Sequence, residues 1–362
     1  MYGLCMKEKN IYGKSFFSYN ISKNDKLKPG FYNINWNSKM NFPILPHHNL
    51  ITNKLLFTNG DNNGTYWFEE IELFQKMGGK ISQINSGLIY EKYDYIFSDF
   101  VSYFEKFRQK NNTYKTLGKL MINSFYGRTG IKPKEEYSFF IMTLEELNFY
   151  INLSDKGEIV INSIEEINKI WFISLKLTDK TIKILLEKNH KIKKGESLNI
   201  AIASSITAKA RVKLYKGFQA VQKMGGNILY SDTDSVIAEF HRSVDNEQHG
   251  EIFWDTSKKD TQIIDAVFSA PKTYAILFKN GNSFVKIKGV QRNYITFEEF
   301  KDSFYFKKNL VVDNLMQIKN TKFKVEYMNI TKNIDLVAYD KRKFSDNLKE
   351  TTPLYHFDGM YF

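Results

Sequence analysis

The polar segment Tyr-Ser-Asp-Thr-Asp-Ser at 230–235 constrains the fold most, because apolar stretches flank it at 228–229 and 236–238. This pattern predicts two short strands joined by a tight bend. Residues two apart on an extended segment share a face, so we expect Asp232 and Asp234 to present two carboxylates side by side at an exposed bend. Such a pair needs a cation or a proton to neutralise it, and hard oxygen ligands suit Mg²⁺. The alternative is an ordinary Asp-rich turn.

A second polar pattern lies on a helix that we predict over 113–126. Lys115, Lys119, Asn123 and Tyr126 are spaced so that all four side chains lie on one helix face. Two ammonium groups and a flat aromatic ring on one face can hold a triphosphate and stack near a base. The alternative interpretation is a solvated basic face with the tyrosine packed inward.

Composition limits the class of protein. The apolar fraction of 42% and the aromatic fraction of 15% predict a buried core and argue against disorder. The formal net charge of +12 favours a polyanionic partner, although many basic proteins bind no nucleic acid. A single cysteine, Cys5, excludes an internal disulfide and a cysteine-based zinc site. No run of about 18 apolar residues is present, so we expect no membrane span and no membrane partner.

Periodicity predicts the coarse order of elements along the chain. Residues 1–95 are typical of short strands and turns, apart from a short helix over 68–77 that two glycines end. Aromatic residues keep helical spacing from 95 to 110, and an alanine-rich stretch does so over 200–222. Within 131–200, the segment Ile-Trp-Phe-Ile-Ser-Leu-Lys-Leu is typical of a strand.

The two polar patterns together resemble motifs B and C of family B DNA polymerases. Lys-x-x-x-Asn-Ser-x-Tyr-Gly at 119–127 precedes Tyr-x-Asp-Thr-Asp-Ser at 230–235 by about a hundred residues, which is the order and separation of that family. The resemblance implies an α+β palm–fingers–thumb polymerase fold, with an antiparallel palm sheet and helical fingers. It also implies template-directed addition of dNTPs, with Mg²⁺ at a two-metal site.

The resemblance assigns roles to the residues of the two motifs. Lys119 is expected to contact the incoming triphosphate, and Asn123 and Tyr126 to line the nascent base pair. Asp234 is expected to be a catalytic metal ligand, and Asp232 a weaker, supporting carboxylate. The further nucleotide-binding residues that it implies are Tyr2, Arg108 and Lys115. The DNA-binding residues that it implies are Ser124, Gly127, Thr207, Arg211, Tyr230, Thr233, Lys272, Tyr274 and Lys286.

Shorter matches favour the protein-primed branch of the family. Thr-Ala-Lys-Ala-Arg at 207–211 is similar to a Thr-x-x-Gly/Ala-Arg element that holds the template-primer. Pro-Lys-Thr-Tyr at 271–274 resembles a Lys-Thr-Tyr element of the same branch. Lys286 matches a lysine that steadies the primer terminus, and Arg108 lies where the fingers supply a basic phosphate contact.

Motif A of the family, Asp-x-x-Ser-Leu-Tyr-Pro, has no complete counterpart in this sequence. Met1, Tyr2 and Gly3 are similar to its last three positions, which would make Tyr2 the residue that excludes ribonucleotides. The motif A aspartate, the other principal metal ligand, would then lie four residues before Met1. We therefore expect an N-terminally truncated polymerase portion that also lacks the 3′–5′ exonuclease domain and has an incomplete two-metal site.

The organisation of the family predicts five segments along this chain. An insertion at 43–95 would contact a terminal (priming) protein, and a second insertion would encircle the template; ordinary surface elaboration is the alternative for both. The predicted segments are palm with the first insertion at 1–95, fingers at 96–130, the second insertion at 131–200, palm with motif C at 201–290 and thumb at 291–362.

The resemblance therefore implies a DNA-directed DNA polymerase that replicates a linear plasmid-like element by protein priming. Its partners would be primer-template DNA, dNTPs and a terminal protein. Lys, Asn, Ile, Phe and Tyr are abundant, which is typical of an AT-rich coding sequence, so we expect organellar or plasmid coding and a mitochondrial location. The alternative, from a different class, is a catalytically inactive nucleic-acid-binding remnant of such a polymerase.

Overall fold

A computed structural model of the chain describes residues 1–49, 54–131, 136–178, 180–181, 199–241, 262–290, 294–321, 324–337 and 341–356. The chain divides into two compact units. The larger unit comprises Met1–Asp99 and Ser205–Phe362, and the smaller unit comprises Phe100–Ser204.

Helices and strands alternate irregularly along the described residues. The helices are α1 Tyr2–Lys7, α2 Phe68–Lys76, α3 Ser98–Arg108, α4 Asn112–Thr129, α5 Leu144–Asp155, α6 Ile200–Lys223 and α7 Phe297–Tyr305. The strands are β1 Asn10–Ser18, β2 Gly30–Ser38, β3 His47–Asn49, β4 Lys54–Leu56, β5 Asn59–Trp67, β6 Lys80–Asp94, β7 Glu136–Ile141, β8 Ile159–Ile167, β9 Ile170–Leu177, β10 Asn227–Asp232, β11 Ser235–Glu239, β12 Ile263–Ala270, β13 Thr273–Phe278, β14 Ser283–Lys286, β15 Leu310–Thr321, β16 Lys324–Ile334, β17 Arg342–Phe344, β18 Thr351–Pro353 and β19 Tyr355–His356.

The larger unit contains a five-stranded sheet in the order β1-β6-β2-β5-β19. Neighbouring strands are antiparallel, except that β19 is parallel to β5. Strand β2 follows the period of two that a half-buried strand requires: Tyr32, Ile34 and Trp36 are buried, and asparagines occupy the alternate positions from 33 to 37. Helices α2 and α6 contribute Phe74 and Phe218 to the same core.

A second core of the larger unit forms where α7 packs on the antiparallel sheet β12-β13-β14. A capping box starts the helix: the Glu299 backbone N–H donates to the Thr296 hydroxyl oxygen, and the Thr296 backbone N–H donates to the Glu299 carboxylate. Phe297, Phe300 and Phe304 then point into the core, because their spacing places them on one helix face. Strands β10 and β11 form a separate antiparallel hairpin.

The smaller unit contains a sheet in the order β7-β9-β8 with helix α5 packed against it. Ile141, Leu147 and Ile173 are buried in this core. In the same unit, the ring of Phe100 on α3 lies 4.6 Å from the ring of Phe125 on α4. Aromatic contacts of this kind explain the helical spacing of aromatic residues in α3.

The structure confirms the elements with strong local periodicity. The helices predicted over 68–77, 95–110, 113–126 and 200–222 are α2, α3, α4 and α6, and the predicted strand is β9. No helix in the described part of the chain is long and apolar enough to cross a membrane.

The prediction of only short strands and turns near the N-terminus was wrong in two places. Residues Tyr2–Lys7 form helix α1, because Cys5 and Met6 are fully buried and tertiary packing outweighs the weak helical pattern. Strand β6 runs for 15 residues, longer than expected. The five-segment division stays a prediction, and 132–135, 179 and 182–198 of its second insertion lie outside the described residues.

Candidate functional site

The two aspartates that dominate the sequence lie at the tip of the β10–β11 hairpin, as predicted. Asp232 pairs with Ser235 across the strands, which leaves a two-residue turn. Thr233 adopts a φ of 55° in this turn, and the Asp234 backbone N–H donates to the Asp232 carbonyl oxygen at 2.6 Å. The side chain of Asp234 is 53% exposed and that of Asp232 is 24% exposed. The two carboxyl groups therefore belong to different environments within one turn.

The carboxylate of Asp232 is held by a lysine from another hairpin. Lys272 Nζ lies 2.9 Å from Asp232 Oδ1 and 2.7 Å from Oδ2, and the Thr233 hydroxyl donates to Oδ1 at 3.0 Å. Partial burial acts to raise the pKa of Asp232, but the hydrogen bonds from Lys272 and Thr233 outweigh it and hold the pKa below its ordinary value. Lys272 itself has a φ of 62° in the two-residue turn between β12 and β13.

Aromatic rings join this hairpin to the three-stranded sheet. The ring of Tyr230 stacks on Phe268, with centroids 5.3 Å apart, and lies 4.9 Å from Tyr274. The Tyr230 hydroxyl accepts a hydrogen bond from the Lys272 backbone N–H at 2.8 Å. Lys286 lies 5.7 Å above the Tyr274 ring and also lowers the pKa of Asp232, as a smaller contributor than burial and Lys272. The structure thus brings together four residues that the sequence assigned to DNA.

The start of the chain lies beside the second aspartate. The Met1 amino nitrogen is 3.4 Å from Asp234 Oδ2. Tyr2 follows as the first residue of α1. The hydrogen bond to Asp232 is the main cause that raises the pKa of Lys272, and Tyr2 is a smaller contributor. Tyr2 therefore lies within electrostatic range of the hairpin residues.

Thr207 and Arg211 lie on the part of helix α6 that belongs to the larger unit. Arg211 Nε donates to Glu70 Oε1 at 2.6 Å, and Glu70 is only 1% exposed. Burial acts to lower the pKa of Arg211, but the charge and hydrogen bond of Glu70 outweigh it, and the pKa is raised. Tyr2 contributes to this rise as well. Sequence analysis missed Glu70, because nothing local distinguishes it from other acidic residues near a helix start.

A buried lysine next to this element was also missed. Lys209 is 1% exposed, donates to the Lys9 carbonyl oxygen and lies 5.1 Å above the Tyr93 ring. Burial lowers its pKa. Lys209 lines a cavity of about 560 Å³ together with Glu8 and Glu69, and none of the sequence-predicted site residues lines that cavity. We interpret Lys209 as part of the packing of α6 against β6.

In the smaller unit, α4 carries the lysine row as predicted. Lys115, Lys119 and Asn123 are exposed, and their side chains make no hydrogen bond or ion pair with the described residues. Tyr126 is half-buried. Other predicted residues of this unit are an exposed Ser124, a half-buried Gly127 and a half-buried Arg108.

The described residues supply part of a metal donor set. No group of three or more His, Cys, Asp or Glu side chains converges in the described ranges. Asp232 and Asp234 offer carboxylate oxygens of the kind that Mg²⁺ prefers, but an octahedral site needs more ligands. The hairpin tip therefore fits one side of a metal site, and its metal-ligand role stays a prediction.

Similarity to known proteins extends over most of the chain. The family model "DNA polymerase type B, organellar and viral" matches residues 1–224. A probable DNA polymerase of Podospora anserina is 27% identical over 84% of this chain and 26% of its own length. A probable DNA polymerase of Neurospora intermedia is 25% identical over 82% of this chain and 28% of its own length. The chain spans about a quarter of the length of these curated relatives.

Solved structures share the fold. The Phi29 DNA polymerase complexed with primer-template DNA matches with a TM-score of 0.57 and 18% identity, over 92% of this chain and 56% of that one. Its ternary complex with primer-template DNA and incoming nucleotide substrates matches with a TM-score of 0.58 and 16% identity, at the same coverage. The predicted polymerase fold, with antiparallel sheets and helices, is confirmed. The family model covers well over half of the residues, and the chain therefore belongs to the organellar and viral family of type B DNA polymerases.

Proposed function

We propose that this chain is the polymerising portion of a DNA-directed DNA polymerase, which adds dNTPs to the 3′ end of a primer on a DNA template. One observation carries the proposal: Asp232 and Asp234 share a hairpin tip, and Lys272 and Lys286 lie around Asp232. Paired carboxylates beside cationic side chains suit phosphoryl transfer, in which negative charge must be neutralised on several oxygens.

The carboxylates would act as metal ligands in this reaction. DNA polymerases of this family use divalent metal ions, and a cation held by Asp234, with Asp232 in support, would neutralise charge on the reacting phosphate. We propose that a further carboxylate comes from residues that precede Met1 in a longer protein. The Met1 amino nitrogen is 3.4 Å from Asp234 Oδ2, so a chain joined to it would begin beside the hairpin tip.

The cationic residues would divide between DNA and nucleotide. Lys286 and Lys272 suit the primer terminus, because both lie around Asp232, the supporting carboxylate of the proposed metal site. Lys119 on α4 suits the triphosphate, because its ammonium group is exposed and unpaired among the described residues. Tyr2 would line the nucleotide site and exclude ribonucleotides.

The family description, the composition and two short sequence elements support a biological setting for this activity. We propose protein-primed replication of a linear plasmid-like element, with a terminal protein as partner and a mitochondrial location. The family description names organellar and viral polymerases, and the composition is typical of AT-rich coding. The similarity of 207–211 and 271–274 to elements of the protein-primed branch adds to this support.

The test is Mg²⁺-dependent extension of a labelled primer. The reagents are residues 1–362, a longer protein with Asp-x-x-Ser before Met1, and the Asp234→Asn variant of the longer protein. We expect extension by the longer protein alone, and primer-template binding by all three, because the basic groups remain. Extension that survives Asp234→Asn would refute the metal-ligand role.

Two other outcomes would revise the proposal. Robust synthesis by residues 1–362, abolished by Asp234→Asn, would mean that another carboxylate in this chain replaces motif A. DNA binding without synthesis by any version would favour the catalytically inactive nucleic-acid-binding remnant. The small donor set among the described residues is the observation that keeps this second candidate open.

A further inference from the structure

A buried ion pair fixes one residue of the 207–211 element. Arg211 on α6 donates from Nε to Glu70 Oε1 on α2 at 2.6 Å, across 141 residues of sequence. Both residues belong to the larger unit. The side chain of Glu70 is 2% exposed, whereas that of Arg211 is 29% exposed. The carboxylate is therefore enclosed in the protein, and the guanidinium spans the distance from it to the surface.

The guanidinium keeps donors that Glu70 does not use. Arg211 has five N–H donors in a planar fork, and its Nε donates to Glu70. Among the described residues, Arg211 makes no other hydrogen bond, and neither terminal nitrogen is a buried atom without a partner. The terminal nitrogens are therefore solvent-accessible. A phosphate group can accept two parallel hydrogen bonds from such an edge.

One N-terminal residue acts electrostatically on Arg211 and on a lysine beside the hairpin. Tyr2 acts on the pKa of Arg211, after the larger effects of burial and Glu70, and it also acts on the pKa of Lys272. Tyr2 is thus within electrostatic range of both cationic side chains. The same tyrosine therefore interacts electrostatically with cations of two different elements.

We propose that Glu70 is a positioning residue for DNA binding: it holds Arg211 by one edge so that the other edge meets a DNA phosphate. The inference rests on the proposed function, because the phosphate belongs to primer-template DNA. An arginine held in this way has already lost the rotamer freedom that binding would otherwise cost. Glu70 would touch no DNA, and its effect would pass through Arg211.

The test is the salt dependence of binding to a fluorescein-labelled primer-template duplex, followed by anisotropy with the full chain. Each phosphate contact adds about 1 to the slope of log affinity against log salt concentration, whatever the DNA sequence. The variants are Glu70→Gln, Arg211→Gln and the double variant. Glu69→Gln is the matched control, because Glu69 lies on the same helical turn but accepts from Trp67 and Tyr93.

We expect the slope to fall by about 1 in Glu70→Gln, in Arg211→Gln and in the double variant, because the two residues act as one unit. Glu69→Gln should keep the wild-type slope. Glu70→Asp is the second variant, for the case in which Glu70→Gln fails to fold. It keeps the negative charge that balances Arg211, but its carboxylate is shorter by one methylene group and no longer reaches Arg211 Nε. The salt slope of Glu70→Asp should therefore fall too. Thermal unfolding identifies the variants that are folded at the assay temperature.

A wild-type slope in Glu70→Asp, and in Glu70→Gln where it folds, would overturn the positioning role even if the melting temperature fell. A drop of about 2 in the double variant would also overturn it, because the residues would then act independently. A flat salt response of the wild-type chain would instead contradict the proposed DNA binding itself. The two failures are therefore distinguishable.

Discussion

Two ion pairs of the larger unit differ from the lysines of helix α4 in the way their charges are neutralised. In the larger unit, Asp232 is paired with Lys272, and Glu70 with Arg211, at 2.6–2.7 Å. On α4, Lys115 and Lys119 are exposed, and their side chains have no partner among the described residues. We call the two ion pairs the paired set, because a partner within the protein holds each charge, and Lys115 and Lys119 the open set, because no described residue does.

This difference predicts two kinds of mutational effect. Removal of Arg211 leaves the charge of the buried Glu70 carboxylate uncompensated, so the free energy of unfolding should fall. Removal of an exposed, unpaired lysine should change the affinity for an anion and leave stability nearly unchanged. Stability measurements on variants of both sets therefore distinguish them.

The largest expected effect is on the Glu70–Arg211 pair. Arg211→Ala should lower the free energy of unfolding by about 3 kcal/mol, because it leaves the carboxylate of Glu70, which is 2% exposed, without its partner. Lys115→Ala, the control on α4, should change it by less than about 0.5 kcal/mol. Urea denaturation of both variants measures the two values. Equal stability losses would remove the distinction between the paired and the open set.

Backbone packing, rather than charge pairing, should dominate the stability of α4. A Cβ on Gly118 would lie 2.5 Å from Arg108 Cγ and 2.9 Å from the Phe104 carbonyl oxygen, so Gly118→Ala should cost about 2 kcal/mol. Gly127→Ala is the matched control, because a Cβ there meets no described atom within 4 Å apart from its chain neighbours and the backbone of its own helix. It should stabilise the helix by up to about 1 kcal/mol. If urea denaturation showed that both substitutions raise the free energy of unfolding, or that both lower it, close packing at Gly118 would not explain the effect.

The paired and the open sets also differ in how far the sequence predicted them. The hairpin of Asp232 and the lysine face of α4 follow from local periodicity, and the structure has both. The partners Lys272 and Glu70 lie 40 and 141 residues from the groups that they bind. No local pattern encodes such a pairing, because it depends on how distant elements pack. The same reason explains why helix α1, defined by buried Cys5 and Met6, was missed.

Substitution of Lys119, a member of the open set, should affect nucleotide binding alone. In the longer, extending protein, Lys119→Ala should raise the KM for dNTP about tenfold, because one charge-assisted contact to the triphosphate is lost. DNA affinity and melting temperature should stay close to wild type, since the side chain is exposed. Lys119→Arg, which keeps the charge, should recover part of the KM. Equal losses of DNA and dNTP binding would place Lys119 outside the nucleotide site.

The smallest expected effect concerns the pKa of Asp232. Partial burial acts to raise this pKa, and hydrogen bonds from Lys272 and Thr233 hold it below the ordinary value of 3.8. A depressed carboxyl pKa means that the ion pair contributes its full stabilisation above about pH 3.8 and loses it as the pH falls through the lower folded value. Lys272→Met should therefore raise the pKa, because burial then acts with less opposition.

Lys286→Met provides the control for this titration. Lys286 is the smallest of the causes that lower the pKa of Asp232, so its removal should raise the pKa less than Lys272→Met does. Carbon-13 NMR of the side-chain carboxyl carbon measures the pKa in each variant. If Lys272→Met left the pKa of Asp232 unchanged, the Asp232–Lys272 ion pair would not persist in solution. Asp232 would then lack a partner, as the lysines of the open set do. A rise in Lys272→Met that exceeds the one in Lys286→Met would establish Asp232 as a carboxylate that the protein itself neutralises.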